Sequence, residues 1–231
     1  MEVVLKVMAI VVISYLLGSF PTAVVISKKF FGFDIRSKGS GNMGSTNAFR
    51  VLGWKWGIVV QVIDVLKGLL AIVVVANLIG DGLDLGSYTY FEDSTLIRVI
   101  AGVSAVFGHI FSCFVGFKGG KGINTAAGML IGIAPVDVSI ALGIFLLALI
   151  FSGYISLGSI MAAITVPSSM FVRYNLFNIE IPGYHFMIFF FLGMSLLIVF
   201  AHRKNIARLA HGTESKFPKL QLIKIHSRHK S

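Results

Sequence analysis

Four short polar stretches carry the residues best suited to chemistry. In GSGNMGSTNAFR (39–50), glycines let successive backbone N–H groups converge on an anion, and Ser40 and Thr46 add hydroxyl donors at close range. Asn42 and Asn47 contribute amides, and Arg50 offers a planar fork suited to phosphate. Glycine and serine alone would suit a flexible loop, but two asparagines and an arginine at this spacing go beyond what a loop needs. The stretch reads as an anion site built from Ser40, Gly41, Asn42, Thr46, Asn47 and Arg50.

The second stretch, GHIFSCFVGFKGGKGINT (108–125), resembles a P-loop without being one. Val115 stands where the first glycine should be, and Gly122 stands where Ser or Thr should follow Lys121. What remains is a glycine turn presenting Lys118 and Lys121, followed by Asn124 and Thr125 at a helix start, where backbone donors favour an anion. In AHRKNIARLAHGTE (201–214), His202 and Asn205 fall on one helical face beside Arg203 and Lys204. A basic helix lying on lipid headgroups explains the charge there, but not those two residues. The fourth stretch, YISLGS (154–159), supplies Ser156 and Ser159. Asp64 and Lys67 are three residues apart inside an apolar run, where ionisable groups tend to pair or to face a polar interior. His109 reads as a hydrogen-bonded packing residue. No HExxH, Cys/His spacing or carboxylate cluster points to a metal site. Cys113, the single cysteine, excludes an intramolecular disulfide.

These stretches need a membrane scaffold to position them. Of 231 residues, 56% are hydrophobic and only 13% charged, about half the usual charged share, and the apolar residues fall in long runs. Spanning candidates lie near 7–27, 57–80, 97–115, 136–153, 154–172 and 185–201. The first is too long for a secretory leader and lacks a cleavage pattern. The expected class is all-α, a polytopic helix bundle, with one domain over 1–215 and a basic cytoplasmic tail over 216–231. A formal charge of +10 fits cytoplasmic loops and anionic headgroups better than nucleic acid, for which no recognised fold or basic-aromatic face is present.

Charge then orients the bundle. Residues 28–55, Lys118 with Lys121, and the segment from Arg203 onward are basic, whereas 81–93 carries Asp81, Asp84, Glu92 and Asp93 without a base. The positive-inside rule places the basic segments in the cytoplasm and the acidic loop outside. The chain must then cross an even number of times between Lys121 and Arg203, and INTAAGMLIGIAP (123–135) supplies the extra, short crossing. About seven spans follow, with the amino terminus outside, the carboxyl terminus inside, and every polar stretch facing the cytoplasm.

In order, GSFP (18–21), DIR (34–36), GSGNMGSTNAFR, DVLKG (64–68), GHIFSCFVGFKGGKG, YISLGS and HRKNIARLAHGTE resemble the motifs of the integral-membrane bacterial acyl-phosphate:glycerol-3-phosphate acyltransferases. The resemblance runs from about residue 18 to residue 214. It implies seven spans in the cell inner membrane, and acyl transfer from acyl phosphate to the 1-hydroxyl of sn-glycerol 3-phosphate without a cofactor. The implied products are lysophosphatidic acid and inorganic phosphate, as the first acylation of phospholipid biosynthesis. The enzyme that supplies acyl phosphate becomes an expected partner. Ser40, Gly41, Asn42, Thr46 and Asn47 would cradle the acyl-phosphate head, with Arg50 and Lys118 on the phosphate of glycerol 3-phosphate. Lys121, Asn124 and Thr125 would add donors, while Ser156, His202 and Asn205 would orient the reacting groups. Other classes fit less well. None of the six histidines has Asp five positions on, as a histidine-base acyltransferase would require, and Asp34, Asp64 and Asp137 are too scattered for a metal-dependent CDP-alcohol phosphotransferase. A phosphate or organophosphate transporter is the non-enzyme alternative; it predicts symmetric halves and sites at mid-membrane, and no internal repeat is visible.

Overall fold

A computed structural model of the chain describes residues 1–85 and 92–216, so the expected tail beyond Lys216 lies outside the described residues. The architecture is all-helical and polytopic, with no strand among the described residues. Six helical stretches are long and apolar enough to cross a membrane: Glu2–Phe31, Trp54–Gly80, Asp93–Val115, Pro135–Ser152, Ile155–Asn175 and Tyr184–Ala201. Side chains such as Leu78, Phe189 and Leu196 are more than 70% exposed, as lipid-facing positions require. The expected extra crossing is a short apolar helix, Ile123–Ile133. At 1.5 Å per residue its 11 residues reach roughly half the ~30 Å hydrocarbon core.

The described residues form two compact units, the first ending at Ile133 and the second beginning at Ala134. In the first unit the opening span is broken. Helix α1 (Glu2–Ser19) stops at Phe20, and α2 (Thr22–Phe31) starts after Pro21, whose missing N–H cannot continue the ladder. Gly32, with φ at 72°, ends α2 in a left-handed turn. A loop then leads into α3 (Ser45–Leu52) and α4 (Trp54–Leu70), which continues through a π-helical segment, Ala71–Ala76, into α5 (Asn77–Gly80). Helix α6 (Asp93–Ile110) is followed by the glycine turn and α7 (Ile123–Ile133).

Two helix crossings hold this unit, and both depend on having no Cβ at the contact. On α1 and α6, a Cβ at Gly18 would lie 1.9 Å from Ala105 O and one at Gly108 would lie 2.1 Å from Tyr15 O. On α4 and α7, a Cβ at Gly68 would lie 2.0 Å from Thr125 O and one at Gly128 would lie 1.9 Å from Val65 O. Such reciprocal small-residue contacts are the packing mode that works where lipid removes the hydrophobic drive between helices. They set α7 against Val65 and Gly68 of α4.

In the second unit Pro135 opens α8 (Pro135–Ser152), and Gly153 ends it in a left-handed turn at φ 75°. Helix α9 (Ile155–Asn175) packs on α8 and on α10 (Tyr184–Ala201), and a short α11 (Arg203–Ala210) follows. Asp137, 1% exposed, is paired with Arg173 at 2.7 Å and accepts a hydrogen bond from Ser169 at 2.8 Å, which fixes α8 on α9.

Gly128→Val should push α7 away from α4. Overpacking of this kind costs about 1–3 kcal/mol, so a fall of roughly 2 °C or more in the unfolding temperature of detergent-solubilised protein is expected. An unchanged temperature would refute the close crossing.

Candidate functional site

The 34–50 segment is held by its own polar side chains. Asp34 accepts from Arg36 through the backbone N–H at 3.0 Å, Nε at 3.1 Å and Nη2 at 2.8 Å, while Arg36 Nη1 reaches Val115 O at 3.1 Å. The guanidinium of Arg36 holds the Asp34 carboxyl well below the usual carboxylate range. Asn47 is 1% exposed, and its amide is fully used. Its Oδ1 accepts from Ser40 N–H at 2.9 Å, and its Nδ2 donates to Asn42 O at 2.9 Å and Lys38 O at 3.1 Å, with Ile35 O at 3.4 Å. Asn42 Oδ1 accepts from Gly44 N–H at 2.8 Å. Gly39 and Gly41 sit at φ 62° and 71°, conformations that let the chain fold around Asn47 without strain.

The result is a cavity of roughly 260 Å³, small beside drug-binding pockets and of a size for a compact polar ligand. Ser40, Asn42, Gly44, Ser45, Thr46, Asn47 and Arg50 form one wall; Lys121, Gly122, Ile123 and Asn124 form another; Asp64 and His109 complete it. The α3 start brings partly positive backbone N–H groups to this wall. Asn124 Nδ2 donates to Ser45 Oγ at 2.9 Å, tying the start of α7 to the start of α3.

Seven of the ten expected binding residues therefore meet: Ser40, Asn42, Thr46, Asn47, Arg50, Lys121 and Asn124. Gly41, Lys118 and Thr125 do not line the cavity; Gly41 shapes the loop, Lys118 is exposed, and the Thr125 hydroxyl is buried without a partner at the α4 crossing. Asp64 and His109 were not expected here. A lone buried histidine and an i, i+3 ion pair have ordinary packing explanations in sequence, and only the helix crossings reveal that they face the same space.

The second unit gathers another cluster. Glu214 Oε1 accepts from Ser156 Oγ at 2.7 Å and Asn205 Nδ2 at 2.8 Å, and Oε2 accepts from Arg208 Nε at 2.5 Å. Ser156 and Asn205, two of the three expected catalytic residues, thus share one carboxylate. His202 lies outside that network, with Nδ1 2.9 Å from Ile198 O. A carbonyl only accepts, so Nδ1 is a protonated nitrogen donating to it, and Nε2 lies outside that hydrogen bond. Glu214 was missed as a site residue, although it is the only acidic residue in a strongly basic segment.

The helices define a multi-pass membrane protein, and its cavity lies between the polar 39–50 loop, with Arg50, and the start of α7, with Lys121. Residues 8–212 match the glycerol-3-phosphate acyltransferase family, and the chain belongs to that family. It is 46% identical over 224 residues to the glycerol-3-phosphate acyltransferase of Chlorobaculum tepidum, covering 90% of this chain and 95% of that one. It is 44% identical over 230 residues to that of Chlorobium phaeobacteroides, covering 92% and 97%. Among solved structures it is similar to PlsY (YgiH), an integral membrane glycerol 3-phosphate acyltransferase. The glycerol 3-phosphate form of that protein is 33% identical with a TM-score of 0.62, covering 91% of this chain and 95% of that one. The lysophosphatidic acid form is 32% identical at the same TM-score, covering 94% and 97%.

Two outcomes check this geometry. Asn47→Asp replaces the amide donor with a carboxylate facing backbone carbonyls, and the orphaned acceptors alone cost about 1–3 kcal/mol. Its 35–47 loop should exchange amide hydrogens faster than in the wild type; equal protection would refute the role of Asn47. Glu214, ordinarily near 4.5, is pulled down to about 2 by Arg208 first, then by Asn205 and Ser156. A depressed carboxylate stabilises the fold above its ordinary value and loses that contribution as pH falls toward the lowered one. Between pH 4.5 and 2 the unfolding temperature should therefore fall more steeply in the wild type than in Glu214→Gln; parallel curves would sink the assignment.

Proposed function

We propose that this protein transfers a fatty acyl group from acyl phosphate to the 1-hydroxyl of sn-glycerol 3-phosphate at the cytoplasmic face of the inner membrane. The hydroxyl oxygen bonds to the acyl carbon, the bond from that carbon to the phosphate oxygen breaks, and lysophosphatidic acid and inorganic phosphate leave. The observation that carries this reading is the cavity in which the 39–50 loop, Arg50 and Lys121 converge. Family membership supports glycerol 3-phosphate as acceptor, and the names of the related solved structures pair that substrate with lysophosphatidic acid.

Acyl phosphate is a mixed anhydride whose leaving group is already good. The protein therefore supplies alignment and charge stabilisation, with no cofactor and no covalent intermediate required. Ser40, Gly41, Asn42 and Thr46 hold the acyl-phosphate head, with Asn47 keeping their backbone in place. Arg50 and Lys118 take the phosphate of glycerol 3-phosphate, while Lys121, Asn124 and Thr125 supply further donors or fix the α7 start. Ser156, His202 and Asn205 orient the reacting hydroxyl or carbonyl. His202 Nε2 or a substrate phosphate oxygen accepts the hydroxyl proton. Seven crossings, with the short α7 among them, place the basic segments on the cytoplasmic side. The enzyme that makes acyl phosphate is the natural partner.

Purified protein given palmitoyl phosphate and labelled glycerol 3-phosphate, without added metal, should release phosphate in step with lysophosphatidic acid. Equal turnover with acyl-CoA or acyl carrier protein would overturn the donor. Arg50→Ala should raise KM for glycerol 3-phosphate by about tenfold or more, the usual worth of a charged hydrogen bond. A wild-type KM would remove Arg50 from the clamp.

A further inference from the structure

Arg36 does not line the cavity, yet it connects the two segments that supply its cations. The 39–50 loop carries Arg50 and the turn after α6 carries Lys121, and both side chains line the same space. The Arg36 guanidinium is divided between these segments. Nε and Nη2 donate to the Asp34 carboxylate at 3.1 and 2.8 Å, and Nη1 donates to Val115 O at 3.1 Å, 79 positions away. A planar fork held on one edge by a carboxylate leaves its remaining N–H groups a fixed direction, so the third bond sets where Val115 lies.

Each end of this strap is itself anchored. On the loop side Ile35 is fully buried, and its N–H donates to Ser27 Oγ at 3.1 Å. The carbonyls of Ile35 and Lys38 accept from Asn47, around which the loop folds. On the turn side Val115 packs against the buried cluster that includes Ile35, Met43 and Ala48. Gly116 and Phe117 follow in left-handed conformations, at φ 68° and 59°. A bulky residue rarely adopts that region, and such strain persists only where the surroundings over-determine it. Here Phe117 N–H donates to Ser112 O at 2.8 Å while Arg36 holds the carbonyl two residues before it. Beyond the strained residue, Gly119 and Gly120 donate to Ile110 O and His109 O, each at 3.0 Å, which folds the turn back on α6 and delivers Lys121 to the cavity.

We propose that Arg36 is a positioning residue that sets the separation of Arg50 and Lys121 by strapping the Lys121 turn to the Arg50 loop through Val115. It touches neither substrate nor reacting atoms. The inference rests on the proposed function, in which these cations meet the phosphate of glycerol 3-phosphate, and adds the residue that spaces them.

A double-mutant cycle tests this, with calorimetric binding of glycerol 3-phosphate to the detergent-solubilised full chain in the absence of acyl donor. Lys121→Ala alone should weaken binding about tenfold, and Arg36→Ala alone about fivefold or more. In the Lys121→Ala background, Arg36→Ala should change Kd by about twofold at most, because the cation it positions is gone. A contribution to general stability would instead weaken binding by the same factor in both backgrounds. Arg36→Lys keeps the charge beside Asp34 without the fork, so its binding should stay weakened. Equal factors in the two backgrounds, wild-type affinity in any of the three single variants, or a wild type that binds no glycerol 3-phosphate each overturns the proposal. Should Arg36→Ala fail to fold, Arg36→Lys runs the same cycle with the same expectation. Binding needs no turnover, so a wild type that binds but is inactive with acyl phosphate defeats the proposed reaction, and the cycle still decides the strap.

Discussion

A carboxylate and an ammonium buried together on α4 determine how the first unit is built. Taking two charges out of water costs several kcal/mol per ion, and the pair survives only where further hydrogen bonds complete it. Here completion comes from the broken first span: Pro21 interrupts the helix, frees Phe20 O for Lys67 Nζ at 2.5 Å, and sets Thr22 Oγ1 on Asp64. The same break frees Ser19 O, which accepts from Ser112 Oγ just past α6. One proline thus supplies acceptors to two neighbouring helices, and the ion pair becomes a three-helix joint. Losing either charge would leave the other buried and uncompensated, a change of about 3–5 kcal/mol.

With that joint in place, the cavity can be polar without collapsing. Its loop wall does not rely on lipid-facing packing; it is built around the saturated amide of Asn47 and the Asp34–Arg36 pair. Donors fixed before a ligand arrives need no reorganisation when charge moves. The amide shapes the loop by accepting from the Ser40 N–H and donating to the carbonyls of Lys38 and Asn42.

Composition and charge made the membrane class legible, and residue types made the anion loop legible, because glycine, small hydroxyls and an arginine have few other joint uses. Distances between helices were not legible. The reciprocal glycines on α4 and α7 that bring Thr125 beside Gly68 and Val65 beside Gly128 have no sequence mark distinguishing them from the other glycines, so the burial of the Thr125 hydroxyl at this crossing is not legible in the sequence. Asp64 and His109 are 45 positions apart in sequence and meet only because α4 and α6 flank the same space. Asp137 is paired with Arg173, which lies on the next helix and is 36 positions away in sequence. In each case the deciding contact is non-local, and local pattern carries no information about it.

The second unit solves a different electrostatic problem. Arg203, Lys204 and Arg208 crowd a short helix, and like charges at that spacing oppose its formation. One carboxylate, Glu214, relieves this from outside the helix and reaches Ser156 on α9 as well, so that the segment after α10 is tied to the body of its own unit. The orientation of Asn205 follows from the same contact, because its amide donates to the oxygen that Ser156 also uses. A residue that looks catalytic by type is thus first a member of a structural network. The side chain left outside that network is His202, whose ring is aimed by the Ile198 carbonyl instead of by Glu214.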